Sequence, residues 1–315
     1  MEDDKLVPNQ YKVSPTPHIR APITISQIML MVLLALAPSG IMGIYFFGLR
    51  SLLIIIITMA SCMAFEALYQ KLTKQQISVT DLSAALTGLL LAFNLPPTLP
   101  LWMPIVGSFV AIVIAKQLFG GLGQNFINPA LAGRAFLTAA YMPQMLYFVH
   151  PVDTIAGPTP LAVGSESLAV LFIGIHGGTI GETSAIALIL GGLFLIWKKV
   201  ITWHVPFTFI GSVFLLTWLL GGGWDYFYPT YQILSGGLML GAFFMATDYS
   251  TSPITTMGKI IMGLGCGFLT VLIRLYGGYP EGVTFAILLM NLCVPLIDKF
   301  TKPRVFGVKR KRFSI

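Results

Sequence analysis

Long apolar runs alternate with short polar joints along the whole chain. Taken in order, the runs cover residues 25–47, 52–68, 82–95, 101–118, 129–148, 184–197, 205–220, 231–247, 257–275 and 283–297. A helix that crosses a bilayer needs ~20 mostly apolar residues, and these runs sit at or a little below that length. The pattern therefore predicts an all-α integral membrane protein with about ten transmembrane helices. A polar arm over 1–24 precedes the first run, a polar loop over 149–181 splits the runs into two sets, and a basic tail over 299–315 follows the last. The membrane portion thus divides into a first part, 25–148, and a second, 182–298.

The two sets look alike. In the first, Gly88-Leu89-Leu90-Leu91-Ala92-Phe93-Asn94 runs into Pro96-Pro97, then a span, then Gly120-Gly121 and a further run. In the second, Gly237-Leu238-Met239-Leu240-Gly241-Ala242-Phe243 runs into Asp248 and Pro253, then a span, then Gly277-Gly278 and a further run. Five spans per set is an odd number, so the sets are expected to be inverted repeats with broken helices at matching places. Such breaks usually put a ligand site at the repeat interface. Chance similarity between two Gly- and Leu-rich stretches is the competing explanation.

Composition sharpens this picture. Apolar residues make 56% of the 315, charged residues only 10%, against ~25% in soluble domains, and mean hydropathy is +0.82. A cytosolic enzyme, a secreted disulfide scaffold and a disordered tail are all excluded. The 32 glycines and 20 prolines fit interrupted helices better than a plain bundle. Cys62, Cys266 and Cys293 lie in apolar runs without a CxxC pair, and His18, His150, His176 and His204 share no ligand spacing. No metal site is expected. The polar arm ahead of the first run also argues against a cleaved signal peptide.

The net charge of +7 follows membrane topology, not nucleic acid. With the N-terminus in the cytoplasm, Lys5, Lys12, Arg20, Lys71, Lys74, Lys198, Lys199, Lys259 and the Lys309-Arg310-Lys311-Arg312 cluster all fall inside, as the positive-inside rule asks. Only Arg50 and Arg274 lie near outer ends. Both termini are then cytoplasmic and the 149–181 loop is extracytoplasmic, with a cell (inner) membrane location. The terminal basic cluster suits an anionic inner leaflet.

That outer loop reads Pro151-Val152-Asp153-Thr154-Ile155-Ala156-Gly157-Pro158-Thr159-Pro160-Leu161-Ala162. A threonine hydroxyl is a natural phosphoryl acceptor, Gly157 permits close approach, and the prolines hold the segment extended. Ser14-Pro15-Thr16-Pro17-His18-Ile19-Arg20 lies in the arm. Gly121-x-Gly123-x-Asn125-x-x-Asn128-Pro129-Ala130-x-x-Gly133-Arg134 and Phe244-Met245-Ala246-Thr247-Asp248 mark the two breaks. In this combination the chain resembles, over nearly its whole length, the RnfD/NqrB family of ion-translocating oxidoreductase components. Its RnfD branch belongs to Rnf-type complexes. Its NqrB branch belongs to the sodium-pumping NADH:quinone oxidoreductase and has a longer N-terminal extension. The family's D-x-x-[ST]-G-A-T-type motif carries FMN through a phosphoester to its final threonine, which matches Thr159. Here Ala156 stands for the usual hydroxyl residue and Pro158 for alanine.

The resemblance implies a urea-channel-like fold and a membrane electron-transfer component with covalent FMN on Thr159. It would act catalytically only within a ferredoxin:NAD+ oxidoreductase complex that drives Na+ or H+ outward. The implied partners are the other components of the Rnf complex, especially the FMN-carrying RnfG and the flavoprotein RnfC, together with a separate flavin transferase. Asp153 either serves that transferase or is a solvated loop carboxylate. Asn125, Asn128 and Asp248 match residues that surround a riboflavin in the quinone-reducing relative. They either hold the polar edge of a second, non-covalent flavin or cap the broken helices and bind nearby backbone. Arg134 and Lys116 either neutralise a phosphate or anchor the cytoplasmic side. A channel for a small solute without flavin is the rival function, and the Thr159 loop discriminates the two.

Overall fold

The computed structural model describes residues 23–151, 156–157, 159–163, 166–221, 225–277 and 281–302. Asp153 and Pro158 lie outside the described residues. Within them the chain is helical apart from one short strand pair, as the apolar pattern predicts.

Helix α1 (Ile25–Phe47) opens with a capping box in which Thr24 accepts from the Gln27 N–H and Gln27 accepts from the Thr24 N–H. Such reciprocal bonds satisfy two of the amides that every helix start leaves free. Gly48, at φ 74°, makes the joint to α2 (Leu49–Leu72), a conformation that favours glycine. Next come α3 (Ser83–Phe93) and α4 (Trp102–Phe109), the latter prolonged by a π-helical turn, Val110–Ile114. Helix α5 (Pro129–Ala140) follows, then the short turn α6 (Met142–Met145). Strand β1 (Phe148–Val149) pairs antiparallel with β2 (Ala156–Gly157), ahead of α7 (Pro160–Val163) and α8 (Leu168–Ile173). The second set comprises α9 (Ala185–Trp197), α10 (His204–Leu220), α11 (Phe227–Leu234) and α12 (Leu238–Leu240) with its π-helical continuation Gly241–Met245. It ends with α13 (Thr256–Tyr276) and α14 (Val283–Thr301).

Five of the described helices are long and apolar enough to cross a membrane: Ile25–Phe47, Leu49–Leu72, Trp102–Phe119, Thr256–Tyr276 and Val283–Thr301. Ser83–Phe93, Ala185–Trp197 and His204–Leu220 are apolar but shorter. The two other apolar runs are broken. Run 129–148 stops being α5 at Tyr141, and Pro143 stands in the separate turn that follows. Run 231–247 is cut after Leu234, where Gly236 takes φ 68°. Apolarity alone does not mark such cuts. At ~1.5 Å per residue, eleven-residue α3 reaches only about halfway through a hydrocarbon core of ~30 Å.

Packing follows the order of elements in a matched way. Helix α2 packs on α3 and α4, and α10 on α11 and α13. Likewise α4 meets α5, α13 meets α14, and the leading helices α1 and α9 pack on each other. Their approach is close: a Cβ at Gly191 would run into the Ala35 carbonyl. One apolar core, including Leu36, Leu91, Phe93, Leu188 and Leu240, spans both sets. The segment ahead of α9 docks on the broken end of α3. Ile180 N–H donates to Leu95 O (3.1 Å), Gly181 N–H to Phe93 O (3.0 Å), and Ser39 Oγ to Gly181 O (2.7 Å). A Cβ at Gly181 would collide with the Phe93 ring. This docking delivers Glu182 to the interior.

Candidate functional site

Helix α3 ends because Pro96 and Pro97 follow it, and Asn94 sits at that end, buried. Its amide donates to Leu90 O (2.7 Å), and its carbonyl accepts from Arg134 on α5. The Arg134 guanidinium also bonds Glu182 (2.8 Å) and Glu281, which stands just ahead of α14. All four side chains are buried. One arginine thus joins the broken end of α3, the start of α9 and the start of α14. A planar fork of donors is suited to several acceptors at once.

A second ion cluster lies elsewhere in the first set. Lys116 Nζ sits 2.8 Å from Glu66 Oε1 and donates to Ser83 Oγ (2.7 Å), while Gln117 Nε2 donates to the same Glu66 oxygen (2.6 Å). Glu66 Oε2 is buried and engages no described residue. The two cations singled out from sequence are therefore both already paired with carboxylates. Glu66 belongs to no motif and is missed on a reading by pattern, yet an ionisable residue at membrane depth is itself a signal of a partner.

Lys116 and Ser83 stand on the wall of a cavity lined from both sets. Asn125, Asn128 and Asp248 line the same cavity. The tertiary fold thus brings together three residues from the breaks of both sets. Each also has a local task. Asn128 Oδ1 caps α5 by accepting from the N–H groups of Ala130 (3.0 Å) and Leu131 (3.3 Å), and its amide donates to Met245 O (3.3 Å). Asp248 accepts from Ser250 Oγ (2.8 Å) and Thr251 Oγ1 (3.2 Å). Burial pushes its carboxyl above the ordinary value, against the lowering effect of those donors and of nearby Lys116. Asn125 Nδ2 donates to Ile127 O and Ser250 Oγ, both at 3.1 Å, but its Oδ1 is buried with no partner among the described residues. The capping reading holds for Asn128; for Asn125 an acceptor remains unused. Apolar walls come from Leu86, Leu90, Phe243 and Phe244.

Thr159 lies away from this cavity, between β2 and α7. It is 7% exposed, and its Oγ1 is buried with no partner among the described residues. The residue after it is pinned: Tyr231 on α11 donates to Pro160 O (2.6 Å). A Cβ at Gly236 would meet the Leu161 side chain, so the segment rests on the break between α11 and α12. Gly157 is exposed, and a Cβ there would meet no described residue. The Thr159 hydroxyl makes no hydrogen bond to a described residue but is closed off from solvent, so a group attached there needs the segment to move outward.

Known proteins resemble the whole chain. A family model described as the NQR2, RnfD, RnfE family matches residues 12–307. The chain is 49% identical over 309 residues to the D-type subunit of the Na(+)-translocating ferredoxin:NAD(+) oxidoreductase complex of Acetobacterium woodii, covering 95% of this chain and 96% of that one. It is 44% identical over 331 residues to the D-type subunit of the proton-translocating ferredoxin:NAD(+) oxidoreductase complex of Clostridium ljungdahlii, covering 98% and 100%. Against the D-type subunit of the ion-translocating oxidoreductase complex of Escherichia coli it is 36% identical over 352 residues, covering 95% and 99%.

Proposed function

The chain belongs to the NQR2, RnfD, RnfE family, and from that premise we propose that it is the RnfD-type membrane component of a ferredoxin:NAD+ oxidoreductase complex that couples electron transfer to ion translocation. The observation that carries the reading is end-to-end similarity at 49% and 44% identity to two proteins named for that place in such complexes. Those two relatives are named for different ions, so the coupling ion is left as Na+ or H+.

Within that role Thr159 holds FMN as a phosphoester, with Asp153, Gly157 and Pro158 forming the segment that a flavin transferase recognises. The unengaged hydroxyl of Thr159 supports this assignment. Its burial requires the 159–161 segment to leave α11 while the transferase acts. FMN supplies one- and two-electron transfer; the protein's part is to position it. The cavity bounded by Asn125, Asn128 and Asp248 takes a second, non-covalent flavin, riboflavin. Its aromatic wall and the Asn125 oxygen that no described residue engages suit a flat ring with N–H and O–H donors. RnfG and the flavoprotein RnfC are the neighbours in the electron path. The matched packing of α1–α5 and α9–α14 supports two inverted repeats on a urea-channel-like plan. Lys and Arg placement favours both termini in the cytoplasm and the Thr159 loop outside.

Intact mass and in-gel flavin fluorescence of the denatured chain test the attachment. Thr159→Val should abolish both signals while membrane insertion stays intact; Thr159→Ser should keep part of the label because it keeps a hydroxyl. Unchanged fluorescence in Thr159→Val overturns the assignment.

A further inference from the structure

The cavity that holds Asn125, Asn128 and Asp248 has an unusual charge arrangement. Among the described residues, Lys116 is the one cationic side chain in its lining, and it is not available. Its ammonium is buried, 2.8 Å from Glu66 Oε1 and 2.7 Å from Ser83 Oγ. Gln117 Nε2 braces the same carboxylate oxygen from the side, at 2.6 Å. Glu66 lies on α2 and Lys116 just beyond the π turn that continues α4, so the pair is made by packing and not by sequence neighbourhood. Of the other polar groups in the lining, the Asn125 Oδ1 has no partner among the described residues, and Asp248 adds a second carboxylate to the same wall.

A phosphate needs cationic or N–H donors, and a buried anion without them is heavily penalised. Here the only lining lysine already answers one negative charge, and a second carboxylate stands on the same wall. An uncharged ligand meets neither obstacle. It can place an N–H or O–H group against the Asn125 oxygen and its flat face against Phe243 and Phe244.

We propose that Glu66 is a specificity-determining residue of this cavity: by holding Lys116 it makes the site accept an uncharged flavin and reject the same ring carrying a phosphate. This rests on the non-covalent flavin reading above and adds to it the group that fixes the ligand's charge. Replacing Glu66 by a neutral isostere frees the ammonium and turns the wall from phosphate-repelling to phosphate-accepting.

The test uses the full-length chain in lipid nanodiscs with riboflavin and FMN as probes, binding being followed by flavin fluorescence quenching. The wild type should bind riboflavin at least about tenfold more tightly than FMN, the order expected when one charge lacks a partner. In Glu66→Gln the ratio should shrink or invert through a gain in FMN affinity. In Glu66→Gln combined with Lys116→Met the FMN gain should vanish while riboflavin still binds, which a merely structural role of the pair would not produce. An unchanged ratio in Glu66→Gln, or equal binding of both probes by the wild type, overturns the proposal. Binding of neither probe by the wild type instead overturns the cavity's flavin reading and this inference with it, leaving the Thr159 assignment untouched. Should Glu66→Gln fail to fold, Glu66→Asp draws the carboxylate back from Lys116. The ratio should then move the same way, and an unmoved ratio counts equally against the idea.

Discussion

At the scale of single residues, Arg134 is the side chain on which most depends. It contacts Asn94, Glu182 and Glu281 at once, and all lie in the interior. Breaking a buried pair by removing one partner costs roughly 3–5 kcal/mol, because the other charge is left buried and alone. Arg134→Leu takes the guanidinium away from two buried carboxylates, so the detergent-solubilised protein should show its melting transition at a much lower temperature. Arg134→Lys should recover little, since an ammonium cannot span three acceptors in a plane. Near wild-type melting of Arg134→Leu would show that the network contributes little. Gly181 matters for a different reason. The Phe93 ring occupies the space where a Cβ would be, and the backbone bonds of this segment to α3 are what bring Glu182 within reach of Arg134.

At the scale of elements, the breaks decide the local design. Helix α5 begins after a stretch where Gly120, Gly121 and Gly123 take φ of 112°, 92° and 86°, a path that non-glycine residues rarely follow. Asn128 then caps the helix, and Pro129 stands in its first turn, where no N–H is missed. Removing an Asn cap costs ~1 kcal/mol. Asn128→Ala should therefore lower the melting temperature of the solubilised protein, and Asn128→Ser, which restores a capping oxygen, should return part of it. Equal melting of the two variants would mean that the cap contributes nothing and that Asn128 matters only through its bond to Met245. The π turns at Val110–Ile114 and Gly241–Met245 recur in the two sets, each just before the chain leaves a helix. Such turns are frequent at functional sites, and Phe243 and Phe244 of the second one line the cavity.

At the scale of the whole molecule, sidedness is the property on which the proposed flavin attachment depends. Lys and Arg placement assigns Gln76 to the inside and Glu166 to the outside. In a Cys293→Ala background, chosen because that cysteine is exposed, Glu166→Cys should react with a membrane-impermeant maleimide in intact cells. Gln76→Cys should react only after the cells are opened. The reverse pattern would invert the topology and set the Thr159 loop on the wrong side for an extracytoplasmic flavin.

Much of this was legible along the chain. The apolar runs and the scarcity of charge determine a helical membrane protein, because hydrocarbon tolerates only segments whose backbone bonds are satisfied internally. The Pro96-Pro97 and Gly-rich breaks mark where those segments stop. The motifs around Thr159, Asn125 and Asp248 carry the family resemblance, which whole-chain similarity bears out. Hydropathy could not show which runs are cut short, since 129–148 and 231–247 read as apolar runs like those that remain helical. Nor could it pair the charges. Lys116 and Arg134 each look free in sequence, and their carboxylate partners lie far away along the chain. Those pairings exist because a buried charge must find an opposite one, and only the packing of α2 beside α4, and of the segment ahead of α9 on the end of α3, brings one within reach.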